Sequence, residues 1–242
     1  MRRIFIILTF IASAALLSEC NKSKSSKAQC FFIFEHFLGV RQGTTVKFYH
    51  TNDAKTWQYS TGKDFKAPAK TDAAFYFVNN YMAVREGKVV KFFITDNTGT
   101  WKYSPGRDFS YPYSVDGIFH YHDTILGVWK GKTINFYQSF TLGDWHRGPA
   151  KEFISPDAID EVFSVASSII GVRSGRTVKF YGIDEHTNWF YSAGKDLTLP
   201  DDVDNITCNG SKMAVLKGKT IKFYEMGGDG KWNYADGHDF SF

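Results

Sequence analysis

Cysteine is scarce in this chain, with three in 242 residues. That excludes a disulfide-dense scaffold. Cys20 ends an N-terminal leader, so cleavage there leaves Cys30 and Cys208 and at most one internal bridge. No apolar run is long enough to span a bilayer: Ile4 to Leu17 falls short of the roughly 20 residues a spanning helix needs. No dense Lys/Arg block accompanies the formal charge of +4, which leaves nucleic-acid binding without support. Gly-rich phosphate loops, a Ser/His/Asp order and paired carboxylates are all missing. The expectation is therefore a non-enzymatic protein with no cofactor. His120 and His122 share a strand face but lack a third ligand at a sensible spacing, so no metal site is expected. Beyond the leader, no segment keeps a helical period over a useful length.

What is present is a repeat. Trp57, Trp101, Trp145, Trp189 and Trp232 stand at intervals of 44, 44, 44 and 43 residues. Each lies 18 residues after a small residue, Gly39, Ala83, Gly127, Gly171 or Ala214, in a phrase of the type LGVRQGTTVKFY. A period of this length marks a modular array. Within the second unit, Asp72–Val78, Tyr81–Arg85, Val89–Ile94 and Thr100–Tyr103 read as short strands. Asn79-Asn80, Glu86-Gly87-Lys88 and Asp96-Asn97-Thr98-Gly99 read as turns. Four strands per unit and five units predict an all-β fold, a five-bladed β-propeller of four-stranded blades. The expected blades cover about 30–67, 68–111, 112–155, 156–199 and 200–242. The small residue is expected where a neighbouring sheet approaches closely.

Residues 1–20 read as a signal peptide and 21–29 as a short polar tail. Cleavage at Cys20 predicts a secreted, extracellular protein. The alternative is a bacterial lipoprotein anchored through Cys20. Asn205 and Asn209 head N-glycosylation sequons. Carried back four repeats, Cys208 falls on Phe32, two residues from Cys30 and on the same strand face. First and last units are neighbours in a closed ring, so a Cys30–Cys208 bridge is expected to staple it. Two buried thiols, or a cysteine joined to a partner chain, are the other readings.

The tryptophan column is the candidate binding site. An indole offers a broad face for sugar C–H groups, and polar turn residues beside it can meet sugar hydroxyls. The candidates are Trp57 with Asp53, Trp101 with Asn97, Trp189 with Asn188, and Trp232 with Asp229. Packing of the outer strand is the alternative role of these indoles. Two charged columns also recur: Lys47, Lys91, Asn135, Lys179 and Lys222, and Asp64, Asp108, Glu152, Asp196 and Asp239. Their joint departure in blade 3 suggests that they communicate, with a structural pair or turn-capping role favoured. Blade 3 also carries Trp129 and His146-Arg147, so its site is expected to be altered or lost.

The phrase Leu/Met–Gly/Ala–Val–x–x–Gly–Lys–x–x–Lys–Phe–Tyr, followed by a polar turn and Trp, resembles the tachylectin-like (tectonin-related) lectins over Cys30 to Phe242. The resemblance implies N-acetylated sugar binding, one site per blade, with glycans as multivalent partners. A weaker likeness, through Asp72-Ala73-Ala74-Phe75 and Pro200-Asp201-Asp202-Val203-Asp204, is to hemopexin-type repeats. A non-catalytic scaffold, or the lectin subunit of a disulfide-linked secreted toxin or defence complex, is the alternative function.

Overall fold

The computed structural model describes residues 28–53, 55–77, 80–96, 98–141 and 143–242. The leader, Cys20 and Asn97 lie outside the described residues. In blade 1 the strands are β1 (Gln29–Phe34), β2 (Phe37–Gln42), β3 (Thr45–His50), β4 (Gln58–Tyr59) and β5 (Phe65–Lys66). β1, β2 and β3 pair antiparallel in order, and β4 and β5 both pair with β3. The fourth strand is thus one strand broken by a turn at Thr61–Asp64. The other four sheets repeat this plan, each from contiguous sequence, and no helix occurs among the described residues. The expected architecture holds: five antiparallel sheets form a five-bladed propeller.

The strands carry near-continuous apolar runs because both sheet faces are covered by neighbouring blades. Val46, Phe48 and Phe65 of blade 1 pack on Ala74, Met82 and Val84 of blade 2. Leu38, Val40 and Tyr49 of blade 1 pack the other way, on Ala214, Leu216 and Phe223 of blade 5. Five such clusters, one per seam, make up the core. Each inner strand also lies against the next, and the last (Asn205–Asn209) lies against β1.

In blades 1, 3 and 4 the small residue of the repeat phrase makes room for its own blade, whereas Ala83 and Ala214 sit in seam clusters with the neighbouring sheet. Gly39, Gly127 and Gly171 pair across the inner hairpin with Phe31, Phe119 and Phe163. Each phenyl ring folds over its glycine, where a Cβ would come within 2.3, 2.1 and 2.3 Å of ring carbons. In blade 5 the partner of Ala214 is Thr207, and Ala214 is buried in the seam with blade 1. That hairpin also explains the 43-residue interval. Blades 1, 3 and 4 have an irregularity in register at the end of the inner strand. Blade 5 pairs regularly to Asn209↔Lys212 and turns through Gly210-Ser211, one residue shorter.

Asp72, Asp116, Asp160 and Asp204 precede the inner strands. Each accepts a hydrogen bond from the hairpin amide of Gly87, Gly131, Gly175 or Gly218 at 2.6–2.7 Å. Those glycines hold φ of 58–62°, the left-handed region that favours glycine. Asp72 and Asp204, two of the Asp residues behind the hemopexin-type likeness, are therefore turn clasps.

No disulfide closes the ring; Cys30 and Cys208 are free thiols. The face argument itself opposes the expected bridge. Equivalent faces of all blades point the same way round the ring. Cys30 points into the blade 5/blade 1 seam, and Cys208 into the blade 4/blade 5 seam. The sheet of blade 5 stands between them. Closure is non-covalent: Cys30 N donates to Asn205 Oδ1 at 2.7 Å, and Lys212 pairs with Glu35 at 3.0 Å. Similar latches join other seams. Gln29 Oε1 accepts from Ala74 N at 3.2 Å, and buried Glu161 Oε1 from Ile206 N at 2.9 Å.

Candidate functional site

Each tryptophan crosses a seam. It opens the fourth strand of its own blade and lays its ring on a third-strand phenylalanine of the preceding blade. The stacked pairs are Trp101 on Phe48, Trp145 on Phe92, Trp189 on Phe136 and Trp232 on Phe180. Their ring centroids are 5.4–5.8 Å apart, with interplanar angles of 17–24°. Trp57 does the same on Phe223 of blade 5, at 5.4 Å and 8°. Three indole N–H groups donate to carbonyls in the preceding blade's broken-strand turn: Trp101 to Lys63, Trp145 to Arg107 and Trp189 to Lys151, at 2.9–3.1 Å. Trp57 and Trp232 Nε1 are buried without a protein partner. One indole face and, in three seams, the N–H are thus committed to packing. What the four half-buried rings leave over is an outward edge.

The polar turns are shaped by their own aspartates. Asp53 accepts from Lys55 N and Thr56 N, at 2.9 and 2.7 Å. Asp184 accepts from Asn188 N at 2.7 Å and His186 N at 2.9 Å, and Asp229 from Lys231 N at 3.0 Å. Hydrogen bonds to the ionised form favour it. The Thr56 and Lys55 amides hold Asp53 far below the usual carboxylate range. The Thr98 hydroxyl and Thr100 amide hold Asp96 down at about 2. Asp53 and Asp229 are therefore organisers of the loop before the indole. Asn188 differs. Its Oδ1 accepts from Lys151 Nζ across the seam at 2.8 Å, while its Nδ2 donates to Asp184 Oδ2 at 3.2 Å.

A groove of about 450 Å³ opens beside Trp189, between blades 3 and 4. Lys151, Glu152 and Ile154 line it from blade 3, and Thr187, Asn188 and Tyr191 from blade 4. Ile154 is 65% exposed. Thr187 has φ of 62°, at a position where blades 2, 3 and 5 place Gly99, Gly143 and Gly230. A β-branched residue there is held against its own preference, and such strain gathers at functional sites. The altered turn of blade 3 therefore borders the indole of blade 4, because each groove is shared by two blades. Trp145 of blade 3 keeps its stacking and its hydrogen bond. Trp129 is a core residue lying over Gly117, where a Cβ would meet the indole at 2.0 Å.

The charged columns meet through a residue type the sequence reading passed over. Tyr59, Tyr103 and Tyr191 donate from their hydroxyls to Asp64, Asp108 and Asp196 at 2.6–2.7 Å. Tyr234 bonds Asp239 likewise, which pushes its phenol up to about 12. Lys47 and Lys222 lie over the Tyr59 and Tyr234 rings, both at 5.5 Å. In blade 3 Arg147 replaces the tyrosine and Glu152 the aspartate, giving an ion pair at 3.6 Å. The signal was a Tyr…Asp spacing of five residues, exchanged as a unit in blade 3.

His120 Nε2 lies 2.8 Å from Asp123 O, and His122 Nδ1 3.2 Å from Asp123 Oδ2. Burial lowers the His120 pKa. No group of three metal-ligating side chains occurs among the described residues. The Asn205 amide is spent on the latch to Cys30 and on Glu161, whereas Asn209 is exposed in a hairpin turn. No described helix is long and apolar enough to cross a membrane.

No protein-family model matches the chain, and none of the curated proteins does. Among solved structures it is similar to Hsv2 of Kluyvelomyces marxianus, with 12% identity, TM-score 0.44, and 81% of this chain and 74% of that one covered. A functionally unknown protein of Desulfotomaculum acetoxidans gives 12% identity, TM-score 0.48 and coverage of 86% and 67%. A protein of Lactobacillus plantarum gives 8%, 0.47, and 83% and 67%. At these values the architecture rests on this chain's own sheet topology.

Proposed function

We propose that this chain is a secreted, non-enzymatic carbohydrate-binding protein that engages glycans multivalently at the seams between blades. The observation that carries the reading is the groove at Trp189, where an indole edge, the Asn188 amide, Lys151 and exposed Tyr191 converge. Aromatic surface beside a few placed polar groups suits a sugar ring. N-acetylated sugars are the class the tachylectin-like resemblance favours. Five related seams on one rigid ring gain avidity without any strong single contact. A shallow open groove predicts weak binding per site.

A glycan array with the folded chain, followed by titration calorimetry with N-acetylglucosamine oligomers, tests the proposal. Binding that Trp189→Ala or Asn188→Ala weakens at unchanged fold supports it. A blank array with correctly folded protein sinks it.

A further inference from the structure

The turn that breaks each fourth strand holds a basic residue at one fixed position: Lys63, Arg107, Lys151, Lys195 and His238. Neighbouring surface positions show no such restraint. The column Gln58, Lys102, His146, Phe190 and Asn233 is exposed throughout and differs in every blade. The column Lys66, Ser110, Ile154, Thr198 and Ser241, also exposed, mixes a cation, hydroxyls and an aliphatic side chain. Both of these columns have drifted, while the basic one has not; the hairpin-turn column Thr44, Lys88, Lys132, Arg176 and Lys219, away from the indole, is basic in four blades.

Its location is fixed by the seam. The carbonyls of Lys63, Arg107 and Lys151 receive the next blade's indole N–H, so cation and tryptophan are held side by side. Gly143 presses against this turn so closely that a Cβ would lie 2.4 Å from Gly106 O. Among the described residues none of the five basic groups is ion-paired, although Lys91, Lys102, Lys179, Lys212 and Lys217 all are. The adjacent carboxylates of blades 1, 2 and 4 accept from tyrosine hydroxyls of their own blades. Lys63 Nζ lies 6.0 Å from the Phe37 ring centre, and the Arg107 guanidinium 5.1 Å from that of Tyr81. Lys151 Nζ meets only the neutral amide of Asn188. Charge-assisted hydrogen bonds to an incoming anion are the strongest contacts such groups can still make.

We infer that Lys63, Arg107, Lys151 and Lys195 recognise negative charge, so that the preferred glycan bears carboxylate or sulfate groups beside the sugar ring that meets the tryptophan. The inference rests on the carbohydrate-binding reading. It predicts a ligand with anionic groups repeated along the chain, engaging several seams together.

The test uses the full mature chain and four probes: polygalacturonate, dextran sulfate, a chitin oligosaccharide and polyglutamate. Binding is followed by biolayer interferometry from low to high NaCl. An anionic polysaccharide should bind at least about tenfold more tightly than the chitin oligosaccharide at low salt, and weaken as salt rises. Polygalacturonate and dextran sulfate separate carboxylate from sulfate recognition. The triple variant Lys63→Met, Arg107→Met, Lys195→Met keeps the apolar stems, leaves the Lys151–Asn188 contact of the proposed sugar groove in place, and removes the charge. It should lose at least about tenfold for the anionic probe and nothing for the neutral one. Equal binding of neutral and anionic sugars overturns the inference and leaves the lectin reading standing. Polyglutamate binding as tightly as the polysaccharides, or an unaffected triple variant, also overturns it. Failure of every sugar probe overturns both. The salt dependence of the unmodified chain decides the matter even if the triple variant does not fold.

Discussion

Trp145→Phe and Trp232→Phe form a matched pair that isolates one hydrogen bond. Both indoles stack on a third-strand phenylalanine of the preceding blade, at 5.6 and 5.7 Å. Either substitution removes the same atoms, but the Trp232 ring is buried and the Trp145 ring half-buried, so each packing loss is first corrected for the apolar area it buries. The N–H groups do not cancel. Trp145 Nε1 donates to Arg107 O at 3.0 Å, a bond with a net value of about 1 kcal/mol. Trp232 Nε1 is buried without a protein acceptor, so its removal relieves a desolvation cost of about 1–3 kcal/mol. After that correction Trp145→Phe should be the more destabilising, by about 2 kcal/mol. For a chain of this size that separates the melting temperatures by about 4–8 °C. Urea titrations at 25 °C, fitted with a common m-value, give the difference directly. Equal losses, or a larger loss for Trp232→Phe, would refute the assignment of the seam hydrogen bonds.

Three further outcomes are expected. Asp96 is held at about 2 in the folded chain against about 4 when unfolded. Its contribution is thus full above pH 4 and lost as pH falls towards 2, and Asp96→Asn should flatten the acid limb of the stability profile over that window. Gly127→Val places carbon where the Phe119 ring lies, and should cost at least about 2 kcal/mol by overpacking, as denaturant midpoints would show. Thiol titration of a denatured chain of residues 21–242 without reductant should count both Cys30 and Cys208, with an unchanged melting temperature when reductant is added; a count of zero would overturn the non-covalent closure.

The propeller was legible because its signals are local. Strand length, the Gly turns of the second hairpin and a 44-residue period each belong to single units. What crosses a seam was harder to read. The small residue at Gly39 suggested a neighbouring sheet, yet the crowding comes from Phe31 eight residues earlier on the paired strand. The Cys30–Cys208 expectation had the right strands and the right shared face. It failed because a shared face in a ring means pointing the same way round, which keeps two such thiols apart. At the site, tryptophan spacing located the seams, but spacing alone cannot reveal that one indole face rests on Phe48 or Phe136. The Tyr–Asp pairs were present in the sequence as columns exchanged together in blade 3, and the basic position beside them as a constant one. Only the geometry showed that the two residue types adjoin the same indole.

The seam also gives the ring a direction. Every blade offers a tryptophan backwards and, in blades 1, 4 and 5, an inner-strand acceptor forwards. The interface is heterologous, head to tail, and it repeats until the last blade meets the first. Such units behave like the subunits of a cyclic oligomer that happen to share one polypeptide. Each blade is cut for the next in line, so pieces containing whole blades retain mating edges at both ends. Breaking the chain in an interblade connection leaves those edges intact and turns ring closure from an intramolecular step into an assembly reaction governed by concentration.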